Sequence, residues 1–277
     1  MRATKKVYRS FLVYGALGAV GFLFLFPGIY GVLVSFKLNR EIFIWPPAIL
    51  PRLWSLEGYV EILSQPKYIR YFFNAFLIST FTSFVCVILG SLGGYGISRF
   101  RIPAKGILML GIIALMMFPG PILMIPYVRL SKALHLYDTY LALVMVNSGF
   151  SLPIAIWLLK TFFDSIPPAI EEAALIDGCT RLKALIYVIG PLARAGVIAI
   201  FAFAFLRTWN EFMFAMILTK GPERAPISVG LASFFTSYNV HWNAIMATTG
   251  LSIIPLMIIF IFLQRYIISG ITGGAVK

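Results

Sequence analysis

The sequence is short of charged residues, cysteine and histidine, and each shortage excludes a class of protein. Charged residues make up 12% of the 277 positions, which is about half the share found in soluble domains. The two cysteines, Cys86 and Cys179, are too few for a zinc site. One lies in an apolar run and the other in a polar segment, so we expect no disulfide.

Motifs for the common nucleotide and hydrolase sites are also missing. The sequence contains no G-x-x-x-x-G-K-[ST] phosphate loop, no H-E-x-x-H and no G-x-S-x-G. The chain is therefore not expected to hold ATP in a phosphate loop, or to be a metalloprotease or a serine hydrolase. Its two histidines, His135 and His241, lie far apart in sequence. We expect no catalytic residue, cofactor or metal ion in this chain.

Apolar residues are abundant instead, at 60% of the sequence. They form six runs, each long enough to cross about 30 Å of hydrocarbon as a helix. The predicted spans cover about residues 11–36, 71–97, 106–128, 140–159, 197–218 and 245–263. The first run is too long for the core of a signal peptide, about 7–15 residues, and is predicted to be a retained helix. We predict an all-α membrane protein with six transmembrane helices, forming one domain over residues 1–277.

Prolines and basic residues refine this topology. Pro119, Pro121 and Pro126 are predicted to interrupt the third span, and Pro153 the fourth, because each removes a helix hydrogen bond. The net charge of +13 comes from small groups of Lys and Arg between the apolar runs. That pattern favours cations flanking a membrane over a nucleic-acid surface. The bias of these cations between the two sides predicts both termini in the cytoplasm.

The segment Pro167–Gly178 predicts a short polar helix with a defined start and stop. Ser165 is placed to cap it, its prolines suit a first turn, and Gly178 can end it with a positive φ. One face would carry Glu172, Ile176 and Cys179.

Two interpretations of this helix are open. Small residues at Ala173 and Ala174 would let it seat deeply in a groove of a partner, where Glu172 could meet a cation. The alternative is an ordinary amphipathic loop between two membrane spans.

This segment and its surroundings resemble the EAA loop of permease subunits of ABC importers. The resemblance is carried by Ile166-Pro167, Glu171-Glu172-Ala173-Ala174, Ile176-Asp177-Gly178 and Pro191-Leu192. Other stretches are similar to the carbohydrate branch of that family, the maltose and glycerol-phosphate type: Ile125-Pro126, Asp138-Thr139-Tyr140, Trp209-Asn210-Glu211-Phe212, and Gln264-Arg265-Tyr266 to Gly273-Gly274-Ala275-Val276-Lys277. The chain departs from the family pattern at Gly190, usually Leu, and at Ala195-Gly196, where a proline is common. Both departures bear on the angle at which the next helix starts.

The resemblance implies a type I ABC-importer permease with a cytoplasmic coupling helix in the loop at about 163–192. The residues implied to couple to the ATPase are Glu171, Glu172, Ala173, Ala174, Asp177 and Gly178. The implied partners are a second permease subunit, two copies of an ATPase that binds ATP and Mg, an extracytoplasmic sugar-binding protein and membrane lipid. The segment Lys220–Asn243 would face the binding protein, and the tail Gly270–Lys277 would reach the ATPase. The implied location is a prokaryotic cytoplasmic membrane.

Polar residues inside the predicted spans are candidates for a substrate pathway, because an uncompensated polar group in the bilayer is costly. The candidates are Asn147, Asn210 and Glu211. Arg207 and Glu211 stand four apart, so they are expected to meet as an ion pair on one helical face. We favour a structural role for these groups over direct contact with substrate.

Other functions remain open at this point. A polyol or glycerol phosphate is the nearest rival to a sugar as substrate. A homo-oligomeric channel would move solute without an ATPase, and a membrane scaffold would bind partners without moving solute.

Overall fold

The structure is a computed structural model that describes residues 2–236 and 240–275. Helices account for most of the described chain. In chain order they are α1 (Arg2–Ser35), α2 (Asn39–Ile42), α3 (Glu57–Leu63), α4 (Pro66–Arg99), α5 (Lys105–Ala114), α6 (Gly120–Ala133), α7 (Tyr140–Asp164), α8 (Pro168–Ile176), α9 (Arg181–Ala184), α10 (Gly190–Leu192), α11 (Arg194–Trp209), α12 (Met213–Leu218), α13 (Ile227–Ser233) and α14 (Trp242–Ala275). Short 3₁₀ turns cover Leu115–Met117 and Phe234–Thr236, and a π-helical turn covers Leu185–Ile189.

Four helices in the described part of the chain are long and apolar enough to cross a membrane. They are Val13–Ser35, Pro66–Arg99, Tyr140–Asp164 and Trp242–Phe262. Two further spans are formed if each of two sharply bent helix pairs is counted as one crossing. The structure therefore contains four to six membrane-spanning segments, in agreement with a multi-pass helical protein.

The third predicted span is bent rather than straight. The helical stretches Lys105–Met117 and Gly120–Ala133 meet at 91°. Pro119 lies in extended backbone between them, and Pro121 sits in the first turn of α6, where its missing N–H costs nothing. The expected interruptions at Pro126 and Pro153 are wrong, because α6 and α7 run through those positions.

The fifth predicted span, residues 197–218, is divided between two helices. Helix α11 ends at Trp209 and α12 starts at Met213. The stretch Arg181–Leu192 leads into α11 at an angle of 85°. The stretch Arg181–Leu192 therefore lies nearly perpendicular to α11. This is the angle on which the departures from the family pattern near Gly190 bear.

The chain divides into two compact units. The first comprises Met1–Pro66 and Ser233–Ile254. Within it, the Asn39 side chain accepts a hydrogen bond from the backbone of Trp242 at 3.0 Å, and the His241 ring lies 2.9 Å from the Glu61 carboxylate. Only 6% of the apolar window of α1 is buried by the chain itself. A lipid or protein environment must cover the rest of that helix, since its exposed side chains are large and apolar.

The second unit comprises Lys67–Ala232 and Pro255–Lys277. One of its buried clusters joins α4, α7, the π-helical turn and α11, with Phe163, Ile189 and Ile200 fully buried. Another joins α4, α7 and α12 around Leu143 and Leu218. Helices α4 and α7 contribute to both clusters and form the centre of this unit.

Close contact between α4 and α7 depends on Gly94. A Cβ atom at this position would lie 2.8 Å from the backbone nitrogen of Lys160 and 3.1 Å from the carbonyl oxygen of Ile156. Backbone atoms cannot swing aside, so any larger residue would push the helices apart. Gly94 is therefore needed for this close packing, whereas nothing lies within 4 Å of a Cβ at Gly96.

The C-terminal tail is helical as far as the structure describes it. Helix α14 continues to Ala275, so residues 270–275 of this tail are helical. Val276 and Lys277, which the sequence predicted to reach the ATPase, lie outside the described residues.

Candidate functional site

Helix α8 is the predicted coupling helix, and its start is set by proline. Pro167 holds extended backbone at φ −55° and Pro168 is the first helical residue, where a missing N–H leaves no gap in the hydrogen bonding. The expected cap by Ser165 is wrong. Its hydroxyl donates instead to the carbonyl of Phe162 in the last turn of α7, at 2.6 Å.

The end of α8 is closed by a complete Schellman motif. The backbone N–H of Cys179 donates to Ala174 at 3.0 Å, and that of Gly178 donates to Leu175 at 3.1 Å. Gly178 has φ +88°, a left-handed conformation that glycine adopts without the cost borne by other residues. The predicted stop is therefore confirmed in position and in backbone geometry.

The two faces of α8 have opposite environments. Glu172, Ala173 and Asp177 are exposed, and Ile176 is 86% exposed. Glu172 and Ile176 share the outer face, as the spacing predicted. Ala174 is buried against the rest of the chain, so of the two small alanines only Ala173 is free to meet a partner.

Glu171, the neighbour of Glu172, points inward and is only 4% exposed. Its carboxylate accepts a hydrogen bond from the Tyr95 hydroxyl at 2.5 Å. The Arg99 Nε atom lies 2.8 Å from the other carboxylate oxygen, a pair held by charge rather than by an aligned hydrogen bond. Arg181 adds a more distant contact at 3.8 Å. Together these residues form the Glu171 cluster: Tyr95, Arg99, Glu171 and Arg181.

Sequence reasoning missed this cluster because its members are far apart in the chain. In the sequence Arg99 is one of several cations between apolar runs, and no spacing rule connects the end of α4 with α8. One signal was present: adjacent glutamates on a helix point to different faces, so Glu171 and Glu172 cannot both meet a partner in the same way.

Comparison with known proteins identifies the class of this chain. Residues 86–273 match the family described as "Binding-protein-dependent transport system inner membrane component". The chain belongs to this family. The permease is also 34% identical to the inner membrane ABC transporter permease protein YcjP of Escherichia coli K12, with all of both chains covered. Family membership confirms the resemblance stated from the EAA loop and identifies the chain as a membrane component rather than an ATPase.

Two further similarities extend over almost the whole permease. It is 32% identical to the trehalose/maltose transport system permease protein MalG of Thermococcus litoralis, with 97% of each chain covered. Its fold matches a chain in the crystal structure of a bacterial ABC transporter involved in the import of alginate, an acidic polysaccharide. That match has a TM-score of 0.77 and 25% identity, and covers 93% of the permease and 98% of the other chain.

The interruption between α11 and α12 contains the predicted pathway residue Glu211. Its carboxylate accepts hydrogen bonds from the backbone N–H groups of Phe214 at 2.7 Å and Ala215 at 3.0 Å. These are orphan donors in the first turn of α12, which the carboxylate caps. The expected ion pair with Arg207 is wrong: the helix ends before Glu211, and the guanidinium of Arg207 lies 5.2 Å from the Phe150 ring centroid instead.

The other two pathway candidates are also engaged locally. Asn147 is 2% exposed and donates from its amide to the carbonyl of Leu143, one turn earlier. Its amide oxygen has no partner among the described residues. Asn210 is exposed, and its amide donates to the carbonyl of Leu206 at 2.8 Å. Asn147 and Glu211 line the same small pocket, which has no room for a water-sized sphere, and Asn210 does not line it.

At the end of the second unit that lies away from α8, contacts centre on Asn74, which is 1% exposed. Its amide donates to three carbonyls of the loop 222–225, at 2.9–3.3 Å. Its amide oxygen accepts from the Tyr140 hydroxyl at 2.8 Å. This loop begins the segment Lys220–Asn243 that the resemblance assigned to the binding protein, and residues 237–239 of that segment lie outside the described residues.

Proposed function

We propose that the permease is one of two membrane subunits of an ATP-driven importer of oligosaccharides or related carbohydrates. The relatives support this substrate class by what their names state: trehalose and maltose for one, alginate for the other. The permease would form half of the translocation pathway. A second permease, two ATPase subunits and an extracytoplasmic binding protein would complete the assembly.

The exposed face of α8 supports the proposal that this helix couples the permease to an ATPase. This nine-residue helix is held to the permease by one face, while Glu172, Ala173 and Ile176 remain uncovered. A short helix with an exposed isoleucine beside the exposed Glu172 and Asp177 suits insertion into a groove of a partner. Glu172 would meet a cation of the ATPase, and Asp177 and Gly178 would fix the end of the helix. ATP and Mg would be bound by that partner.

The two ends of the second unit support an orientation with both termini in the cytoplasm. Arg99, Arg181 and α8 lie together at one end of α4, and Arg70 pairs with Glu223 at the other, at 2.6 Å. The more basic side of the predicted topology contains the α8 end. In this proposed orientation, α8 would lie beside a cytoplasmic ATPase and the loop 222–225 beside a binding protein.

Of the three pathway candidates, Asn147 is the one we propose for contact with passing substrate. Its amide oxygen has no partner in the described structure, and a sugar hydroxyl would supply the missing donor. The closed state of the pocket means that this contact requires movement of α7 or α11. Glu211 and Asn210 would act by holding the ends of α12 and α11.

The first test is purification of the N-terminally tagged permease from its native membrane, followed by mass spectrometry of the proteins that accompany it. The proposal predicts a different permease and an ATPase with a phosphate loop. Ile176→Ala should reduce the recovered ATPase about tenfold, because burial of an isoleucine contributes about 1.5–3 kcal/mol. Ile107→Ala is the matched control, since Ile107 is 74% exposed and lies on α5. Recovery of the permease alone, as a homo-oligomer, would contradict the proposal and favour a channel.

A further inference from the structure

The Glu171 cluster joins α8 to the end of the membrane helix α4. Burying a carboxylate is costly unless charges and hydrogen bonds compensate it. Here the compensation comes from α4, which supplies both the guanidinium of Arg99 and the hydroxyl of Tyr95. The side chains of Glu171 and Arg99 are 6% and 8% exposed, so solvent screens this pair little.

Arg99 holds the coupling segment at two points. While its Nε atom faces Glu171, its Nη2 atom donates to the backbone carbonyl of Ile166 at 2.9 Å. Ile166 precedes the first turn of α8 and Glu171 lies in it. Two contacts separated along the segment fix the direction of α8 as well as its position, which one contact could not do.

Aromatic packing makes the same connection rigid. The Tyr95 ring stands perpendicular to the ring of Phe163, the fully buried residue near the end of α7, with centroids 6.1 Å apart. Arg181 lies 4.9 Å from the ring of Phe100. Because a nine-residue helix is not stable alone in water, these contacts rather than the helix itself determine how α8 moves.

We infer that the Glu171 cluster is a clamp that makes α8 and α4 move as one body, so that movement of a docked ATPase reaches the membrane helices. The clamp residues Glu171, Arg99 and Tyr95 are positioning residues. They act behind the docking face, and their loss should separate ATP hydrolysis from transport without releasing the ATPase. This inference rests on the proposed function of α8.

The test compares variants of the complete importer, with its partner subunits and binding protein, in proteoliposomes. Glu171→Gln keeps the shape of the side chain and removes its charge, while Tyr95→Phe removes a single hydrogen bond. For Glu171→Gln we expect unchanged ATPase content, ATP hydrolysis within about twofold of wild type, and about tenfold less sugar imported per ATP, because the neutral amide no longer attracts the buried Arg99 guanidinium. Tyr95→Phe should show a smaller loss in the same direction.

Ser98→Ala is the matched control. Ser98 lies next to Arg99 and donates to Asp164 of α7 at 2.6 Å, so the variant removes a contact at the same helix end that does not involve α8. Its import per ATP should equal that of wild type. Full import per ATP in Glu171→Gln would overturn the clamp, as would loss of ATPase from that variant, which would make Glu171 part of docking.

A distance measurement tests the clamp independently of transport. Spin labels at Ala173 on α8 and Arg101 beyond α4, in a chain with Cys179→Ser, report how rigidly the two segments are joined. A narrow distance distribution that broadens in Glu171→Gln supports the clamp, and an unchanged distribution overturns it. If wild-type import needs no ATP, the proposed function fails while this measurement still decides whether the two segments move together.

Discussion

Replacing Glu211 with alanine should lower the free energy of unfolding of the permease without changing which sugar it imports. The carboxylate accepts two backbone hydrogen bonds, at 2.7 and 3.0 Å, from the first turn of α12. Loss of a helix cap costs about 0.5–2 kcal/mol, and a hydrogen bond to a charged group contributes about 1.5–3 kcal/mol. Because Glu211 is half-buried and water can replace part of the loss, we expect about 2 kcal/mol.

The assay is unfolding of the purified permease by sodium dodecyl sulfate in detergent micelles, followed by circular dichroism, together with uptake of several sugars. Asn210→Ala is the control, since the exposed Asn210 donates to a carbonyl of the helix that it follows, and surface changes of this kind alter stability by less than about 0.5 kcal/mol. If Glu211→Ala has full stability but an altered sugar preference, Glu211 lines the pathway and the capping argument is refuted.

Three further changes test other parts of the structure. Gly94→Ala should cost about 1–3 kcal/mol of stability because its Cβ would press on the α7 backbone, whereas Gly96→Ala should be neutral or stabilising; equal melting temperatures would contradict the packing argument. Gly178→Leu should strain the end of α8 by about 1–2 kcal/mol and reduce the ATPase recovered on purification. Asn74→Ala should speed protease cleavage of the loop 222–225, on the order of tenfold or more, because the carbonyls of Pro222 and Ala225 lose their donor and that of Glu223 keeps only the Tyr140 hydroxyl.

The helical class, the multi-pass character and the position of α8 could be predicted from the sequence because each depends on local pattern. Apolar runs of sufficient length are sufficient to identify most spans. The prolines before α8 and Gly178 after it fix the helix bounds through backbone conformation, which depends on residues close in sequence.

The errors arose where distant contacts decide the outcome. The Ser165 hydroxyl could accept from a backbone N–H in the first turn of α8 or donate to a carbonyl in the last turn of α7, and it donates to Phe162. Pro153 lies within α7 without ending it, because packing of neighbouring helices can hold a membrane helix together where a proline removes a hydrogen bond. Glu211 was placed in a continuous helix, and the orphan donors of α12 could be recognised only once the break at 210–212 was known.

Within the site, the motif could be identified from the sequence, but not the fact that one of its two glutamates faces outward and the other is buried. The outer position of Glu172 follows from helical spacing. The inward position of Glu171 depends on Arg99 and Tyr95, which are separated from it by the whole of α5, α6 and α7. The sequence contains many cations that could compensate a buried carboxylate, but it does not show which of them lies beside Glu171.

The most direct test of the central claim is ATP-driven uptake by the purified complex. Proteoliposomes containing the permease and its co-purified partners, with binding protein outside and ATP inside, are supplied with radiolabelled oligosaccharides. The account predicts accumulation of a carbohydrate that requires internal ATP and is lost in Glu172→Ala, with the permease itself still folded. Uptake that continues unchanged without ATP, or in Glu172→Ala, would contradict it.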